Sequence, residues 1–124
     1  MNFEIRKTYT TPNFKYSDGL FEMEGRSHPI NPTGFYKRLT NFIELYSHSP
    51  KEKTKINICL EYLNSSSNRA LLNVLLRFNL LFKEGYDVYL NWYYEGIDDI
   101  MYDFGTIFKS FVNFPFNLVE KSEA

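Results

Sequence analysis

The chain has 124 residues, of which 44% are hydrophobic and 19% aromatic, and its formal net charge is −1. This length predicts a single domain over residues 1–124, and the apolar content excludes a disordered protein. The near-neutral charge, without a run of Lys or Arg, argues against nucleic acid as the main partner.

The first part of the chain is predicted to be a group of short strands. Alternating polar and apolar residues predict strands at residues 2–9, 14–16 and 20–24. Ser17-Asp18-Gly19 predicts a tight turn, so the second and third strands should form a hairpin. Pro29 and Pro32 predict a loop over residues 25–32.

A helix is predicted to follow this loop. Asn31 suits the cap position and Pro32 the first helical position. The apolar residues that follow at helical spacing define its buried face: Phe35, Leu39, Phe42, Ile43 and Tyr46.

Residues 55–63 predict a strand with one apolar face. That face is predicted to carry Ile56, Ile58, Leu60 and Tyr62, and the opposite face Asn57, Cys59, Glu61 and Leu63. The mixed second face predicts a sheet that is only partly covered on that side. Cys59 is the only cysteine, which excludes an intrachain disulfide and favours a reducing, cytoplasmic location.

The longest predicted helix spans about residues 68–83. Its polar positions form a narrow stripe of Arg69, Asn73 and Arg77, so the helix is either sunk in the core or turns part of its wide apolar arc to a partner protein. Glu84-Gly85 predicts its end. The apolar run is too short and too interrupted to span a membrane, and residues 1–10 lack the apolar core of a signal peptide, so we expect no membrane insertion.

The last third predicts a strand, a helix and an edge strand. The strand covers residues 86–94, and Asp98 and Asp99 open the helix. Its apolar face is predicted to comprise Ile100, Met101, Phe104, Ile107, Phe108 and Phe111. Pro115 predicts that the final strand, at 114–119, lies at an edge, and residues 121–124 should be a frayed tail.

This order of elements predicts an α/β fold: a single mixed sheet with helices packed on it. The two later helices would serve as crossovers between parallel strands.

The turn between the central strand and the longest helix is the main candidate site. Asn64, three consecutive serines and Asn68 stand where a helix begins, and such residues cap the free N–H groups of its first turn. The same N–H groups and the helix dipole attract anions. Two interpretations stay open: a structural cap, or a serine that carries a phosphate.

Enzymatic signals are weak. His28 and His48 fall in predicted loops without the cysteine cluster of a zinc site. Four acidic residues near the last helix could hold Mg²⁺, although acids at a helix start usually serve the helix itself: Glu95, Asp98, Asp99 and Asp103. No histidine lies near Ser65 in sequence to act as a base, and no glycine-rich phosphate loop is present. We expect no enzyme, no cofactor and no metal.

Three separated segments carry a family resemblance. They are Gly25-Arg26-Ser27-His28-Pro29-Ile30-Asn31-Pro32 leading into Phe35-Tyr36, then Tyr62-Leu63-Asn64-Ser65-Ser66-Ser67, and finally Trp92-Tyr93-Tyr94-Glu95 with Asp98-Asp99 and Gly105. On these segments, which span roughly residues 14–118, the chain resembles the SiaC-type regulatory phosphoproteins of bacteria.

The resemblance implies a STAS-like sandwich and a switch function. A partner kinase would phosphorylate a hydroxyl in the serine turn, and a PP2C-type phosphatase would remove the phosphate. The unphosphorylated form would bind and activate an effector such as a diguanylate cyclase, and cyclic-di-GMP output and biofilm formation would follow. The family's phosphoacceptor threonine falls on Ser65. Ser replaces Thr there, so the acceptor could shift to Ser66, and Ile30 stands where the family often has an acid.

The residues themselves suggest how such a switch would act. Phosphate adds about −1.5 to −2 charges at pH 7, enough to disrupt an interface that had received a neutral serine. We expect the partner-binding surface to surround Ser65 and to consist of Asn64, Ser66, Asn68, Arg69 and Leu72. The alternative is a small-ligand or nucleotide sensor that holds a phosphate at the same helix start.

Overall fold

The computed structural model describes residues 1–121. They form six strands and three helices, in the order β1 (Asn2–Ile5), β2 (Asn13–Ser17), β3 (Leu20–Ser27), α1 (Pro32–Tyr46), β4 (Lys53–Leu63), α2 (Ser65–Lys83), β5 (Asp87–Glu95), α3 (Asp99–Lys109) and β6 (Phe116–Lys121). None of these helices combines the length and apolar character needed to cross a membrane.

The six strands make one mixed sheet in the order β1-β2-β3-β4-β5-β6. β1, β2 and β3 pair antiparallel, whereas β3, β4, β5 and β6 pair parallel. The predicted α/β class, a single mixed sheet with helices packed on it, is therefore confirmed. All three helices connect parallel strands, one more crossover than the sequence predicted.

The helices pack on one face of the sheet. Side chains in register across the strands share a face, and one such row reads Phe21, Ile56, Leu90 and Phe116, all buried. The opposite face carries a row of amides in which the Asn91 side chain donates to Asn57 (3.2 Å) and the Asn117 side chain donates to Asn91 (3.1 Å). The predicted partly covered second face corresponds to this polar side.

The predicted hairpin and helix caps are confirmed. Asp18 and Gly19 both have positive φ (47° and 84°), as a two-residue hairpin turn between β2 and β3 requires. The Asn31 side chain accepts a hydrogen bond from the Gly34 N–H at 3.0 Å, and Pro32 is the first residue of α1. At the end of α2, Gly85 has a φ of 102°.

Several predicted element bounds were wrong. β1 ends at Ile5 instead of residue 9, and β3 continues through Gly25 to Ser27, into the predicted loop. β6 runs to Lys121, which was assigned to the frayed tail, while the rest of that predicted tail lies outside the described residues. α2 begins at Ser65, three residues earlier than predicted, because Asn64 and not Asn68 caps it.

The predicted facing of Tyr62 and Leu63 was also wrong. Pairing between β3 and β4 shifts by one residue, from Gly25–Leu60 to Arg26–Tyr62, so Glu61 is an extra residue in β4. A one-residue shift moves all later side chains to the other face. Leu63 is therefore buried and Tyr62 is exposed.

The predicted apolar face of α3 is only half correct. Met101 and Phe108 are buried against the sheet and Phe104 packs partly on the core. In contrast, Ile100 and Ile107 are 71% and 51% exposed, and Phe111, which lies beyond the end of α3, is 54% exposed. The reason is geometric: a helix lying on a sheet buries one stripe, and six apolar residues over this span make a wider arc than one stripe.

Candidate functional site

The serine turn is held rigidly at the carboxyl end of β4. The Asn64 side chain accepts a hydrogen bond from the Ser67 N–H at 2.9 Å, and the Asn64 carbonyl accepts from the Asn68 N–H at 3.0 Å. The Asn64 N–H donates to the Ser27 carbonyl at 3.1 Å, which ties the turn to the end of β3. The backbone that presents the serines is thus fixed on both sides.

The three serines have different environments. Ser65 and Ser66 are exposed, whereas Ser67 is completely buried. The Ser66 hydroxyl donates to the Asn64 side-chain oxygen at 3.3 Å. Within residues 1–121 the Ser67 hydroxyl has no hydrogen-bond partner, and the hydroxyl of Ser65 makes no hydrogen bond either. Ser65 therefore combines exposure with a free hydroxyl, and Ser67 is inaccessible to another protein.

Two buried hydroxyls connect α1 to the end of β3, next to the serine turn. The Tyr36 phenol on α1 and the Ser27 hydroxyl at the end of β3 lie 2.6 Å apart. Burial raises the pKa of Tyr36 to about 12, against the opposing effect of the hydrogen bond with the Ser27 hydroxyl. The phenol thus stays neutral at physiological pH and links α1 to the strand that holds Asn64.

The first turn of α2 is suited to a negative charge. The first four N–H groups of a helix lack intrahelical partners, and the Asn64 side chain takes only that of Ser67. No acidic residue lies in this first turn, and Arg69 is exposed one turn further on. An anion on Ser65 would therefore meet free N–H groups and the positive end of the helix dipole.

The other residues predicted to bind a partner lie on the first two turns of the same helix. Asn64 and Asn68 are partly exposed, and Ser66 and Arg69 are exposed. Leu72 is partly buried and packs against the core, so only part of its side chain is available to a partner.

An aromatic and cationic cluster beside the turn was missed from the sequence. The Arg26 guanidinium lies 5.1 Å from the centroid of the Tyr62 ring, and His28 lies 5.4 Å from the same ring. The Nε2 atom of His28 is buried without a hydrogen-bond partner among residues 1–121. Tyr62 lies here because of the register shift between β3 and β4. The sequence signal of that shift was a glycine inside β3, Gly25, which has a φ of 118°.

The acidic residues near α3 serve the helix. The Asp98 side chain accepts from the Met101 N–H at 3.0 Å and caps α3, and Asp99 lies in its first turn. In the described residues no group of three His, Cys, Asp or Glu side chains is placed to hold a metal ion. Gly96 and Ile97 form an exposed loop between β5 and α3.

The Trp92 segment fixes the position of α3. The Trp92 indole N–H donates to the Met101 carbonyl at 2.9 Å, and Gly105 lies directly over the indole ring. A Cβ at Gly105 would come within 2.5 Å of Trp92 Cδ1. The third segment of the family resemblance therefore determines how α3 and the loop before it lie against β5.

These features define a class: an α/β binding domain with an exposed hydroxyl at an anion-attracting helix start. The sequence model of the SiaC family of regulatory phosphoproteins matches residues 5–121. The chain belongs to this family, whose members are regulatory proteins and not catalysts.

Known relatives agree in fold over nearly the whole chain. An uncharacterized protein of Pseudomonas aeruginosa (strain UCBPP-PA14) is 23% identical over 98% of both chains. The structure of apo-SiaC from Pseudomonas aeruginosa superposes with a TM-score of 0.89 at 23% identity, covering 96% of this chain and 98% of that one. SiaC in the complex of the diguanylate cyclase SiaD with its activator SiaC, also from Pseudomonas aeruginosa, gives 0.88 at 24% identity, covering 96% and 99%.

Proposed function

We propose that this protein is a phosphorylation-controlled binding switch. Its unphosphorylated form binds and activates an effector, and phosphate on Ser65 blocks that binding. The single observation that carries the proposal is the environment of Ser65: an exposed hydroxyl, unengaged by its neighbours, on a helix start that lacks acidic residues.

The choice of Ser65 over its neighbours rests on accessibility. A kinase must reach the hydroxyl, and Ser67 is fully buried. The Ser66 hydroxyl is accessible but donates to the cap side chain at 3.3 Å, so its modification would disturb the Asn64 cap. Phosphate on Ser65 would leave the cap in place.

The proposed effector is a diguanylate cyclase from the bacterium that produces this protein. The support is family membership together with the SiaC relative whose complex is with the diguanylate cyclase SiaD, of which it is the activator. A kinase and a PP2C-type phosphatase acting on Ser65 complete the proposed pathway, which would operate in the cytoplasm.

The mechanism requires no movement of the backbone. An interface that accepts a neutral Ser65 would have to accept a dianion after phosphorylation. Burying an uncompensated charge at an interface costs about 2–5 kcal/mol, which lowers affinity by about 30-fold to several thousand-fold.

The first test locates the modification. Protein purified from its own cells is analysed by intact-mass and fragment mass spectrometry, and the proposal expects one phosphate of about 80 Da on Ser65. Unmodified protein under all growth conditions, or phosphate confined to residues away from the turn, would contradict it.

The second test measures the consequence. Ser65→Ala and Ser65→Asp variants are titrated against the purified diguanylate cyclases of the bacterium, and cyclic-di-GMP synthesis is followed. We expect Ser65→Ala to bind and activate, and Ser65→Asp to do neither. Ser49→Asp, which adds the same charge to an exposed serine between α1 and β4, is the matched control and should behave as wild type. A specific nucleotide that raises the melting temperature, with equal binding by both Ser65 variants, would instead indicate a ligand sensor.

A further inference from the structure

The outer side of α2 is basic and apolar. Helical spacing places Arg69, Leu76, Leu80 and Lys83 opposite the buried face of α2, and all four side chains are exposed. The sequence of α2 contains no acidic residue. We call this line of side chains the α2 ridge.

The outer side of α3 has the opposite charge at its start. Asp99 and Asp103 are exposed on the side opposite the buried Met101 and Phe108, and the first two turns of α3 contain no Lys or Arg. Ile107 lies one turn after Asp103 and is also exposed. We call Asp99, Asp103 and Ile107 the α3 ridge.

The charges of both ridges are free to bind another molecule. Within residues 1–121 the salt bridge is between Lys51 and Asp18, and no charged side chain of either ridge takes part in an ion pair. Large apolar side chains are exposed among these charges, and several of them in one area indicate a contact surface.

α2 and α3 begin at the same level of the sheet. They connect neighbouring parallel strands, so they lie side by side and run in the same direction. Cys59 of β4 pairs with Tyr93 of β5, and the first residues of the two helices, Ser65 and Asp99, each follow six residues later. Residues equally far into the two helices therefore lie equally far from that edge of the sheet.

We propose that this face binds a second copy of the chain in a two-fold symmetric dimer. The symmetry axis runs between α2 and α3 and parallel to them. Rotation about this axis places the α2 ridge of one copy over the α3 ridge of the other, and it leaves the direction and level of the helices unchanged.

The levels of the charges match in this arrangement. Arg69 lies four residues after Ser65, and Asp103 lies four residues after Asp99, so each Arg69 meets Asp103 of the second copy. Leu76, three turns into α2, lies level with the last turn of α3, close to Ile107 of the second copy. Each contact occurs twice because the interface is two-fold symmetric.

This match is the reason to assign the face to a second copy. A basic ridge and an acidic ridge at equal levels are complementary to their own rotated copy, and complementary charges fix the register of an association. The proposal goes beyond the switch function and does not depend on it, because it concerns the protein alone.

Sedimentation equilibrium of the purified chain over a range of concentrations tests the proposal. We expect the mass to rise with concentration from 14.8 kDa towards that of a dimer, and higher salt to weaken the association. Arg69→Glu and Asp103→Arg should each weaken it by about 10-fold or more, because each variant places like charges together twice.

The variant that carries both substitutions provides the decisive comparison. Arg69→Glu with Asp103→Arg reverses both partners of the pair, so association should return to within about threefold of the wild type. Arg38→Glu, which reverses an exposed arginine of α1 outside both ridges, is the matched control and should change nothing. All four variants alter exposed side chains, so a wild-type melting temperature verifies that each is folded.

Three results would overturn the dimer. The first is a chain that stays monomeric up to about 1 mM, since weaker association than this is not specific. The second is a dimer that Arg69→Glu weakens no more than Arg38→Glu does. The third is a double variant that associates no better than its two single variants, which would show that Arg69 and Asp103 do not meet.

Discussion

Tyr36 is the residue through which the site depends most directly on pH. It is buried beneath the serine turn, and burial raises its pKa to about 12 from an ordinary value of 10.0. Between these two values the unfolded chain loses the phenol proton while the folded chain keeps it. Stability from this group is therefore fully present below pH 10 and falls as the pH rises towards 12, by about 2–3 kcal/mol in total.

Comparison with Tyr36→Phe isolates this effect from other groups that titrate in the same range. The variant should lose about 1 kcal/mol at pH 7, because the Ser27 hydroxyl is left without its partner at 2.6 Å. From pH 10 to 12 its free energy of unfolding in urea should fall less steeply than that of the wild type. Parallel pH profiles would mean that Tyr36 ionises as easily in the folded chain as in the unfolded one.

The cap residue and the third serine should differ sharply in their contribution to stability. Asn64→Ala removes the acceptor of the Ser67 N–H and should cost about 1 kcal/mol. Ser67→Ala removes a buried hydroxyl that has no partner within residues 1–121, so its effect should stay within about 0.5 kcal/mol of zero. Urea unfolding of both variants measures the difference. An equal loss for Ser67→Ala would reveal a hydrogen bond of its hydroxyl in solution.

Single residues also show why part of the site escaped prediction. Asn31 and Asp98 were assigned to helix starts correctly, because capping depends on a few neighbouring positions. Tyr62 was assigned to the wrong face, because the extra residue in β4 is set by pairing with β3, more than thirty positions away in the chain. Local patterns fix local geometry, whereas register depends on a partner strand.

At the scale of elements, the contact between α3 and β5 depends on Gly105. An alanine Cβ there would lie 2.5 Å from Trp92 and 2.6 Å from Leu118, so the helix must shift. Gly105→Ala should lower the free energy of unfolding by about 1–3 kcal/mol, the usual cost of overpacking. Thr106→Ala, at the next and exposed position, is the control and should change stability by about 0.5 kcal/mol or less. A Gly105→Ala variant with wild-type stability would show that α3 tolerates the methyl group and that its contact on Trp92 is looser than 2.5 Å implies.

The helices also mark the limit of pattern analysis. Apolar spacing located α3 but could not divide the apolar residues predicted for it between the side that packs on the sheet and the exposed side. That division depends on which side of α3 rests on β4, β5 and β6, which is a property of the assembled layers. The sequence left open whether the apolar arc of α2 was all core or partly a contact surface. Leu76 and Leu80, 37% and 55% exposed, show that part of this arc reaches the surface.

At the scale of the whole molecule, the site follows from topology. β3, β4 and β5 are parallel, so the loops after them meet at one edge of the sheet. The order of strands and helices was predictable from alternating patterns, and with it the α/β class. The grouping of the His28 loop, the serine turn and the Ile97 loop at this edge follows only once the strand order is known.

The architecture leads to a prediction about how the switch operates. The turn is fixed by hydrogen bonds from Asn64 to β3 and α2, so a charge on Ser65 should act locally and not by unfolding. Ser65→Asp places a negative charge at the start of α2, where the dipole favours it. The free energy of unfolding should rise by about 0.3–1 kcal/mol, while effector affinity falls by about 30-fold or more.

Ser47→Asp gives the matched comparison, because Ser47 caps the carboxyl end of α1, at the opposite end of β4 from the serine turn. The same charge there opposes the dipole, so stability should fall while effector binding stays unchanged. Urea unfolding and effector titration of the two variants should therefore change in opposite senses. If Ser65→Asp instead lost stability in step with affinity, its effect on binding would come from damage to the fold, and a local electrostatic switch at this helix start would be ruled out.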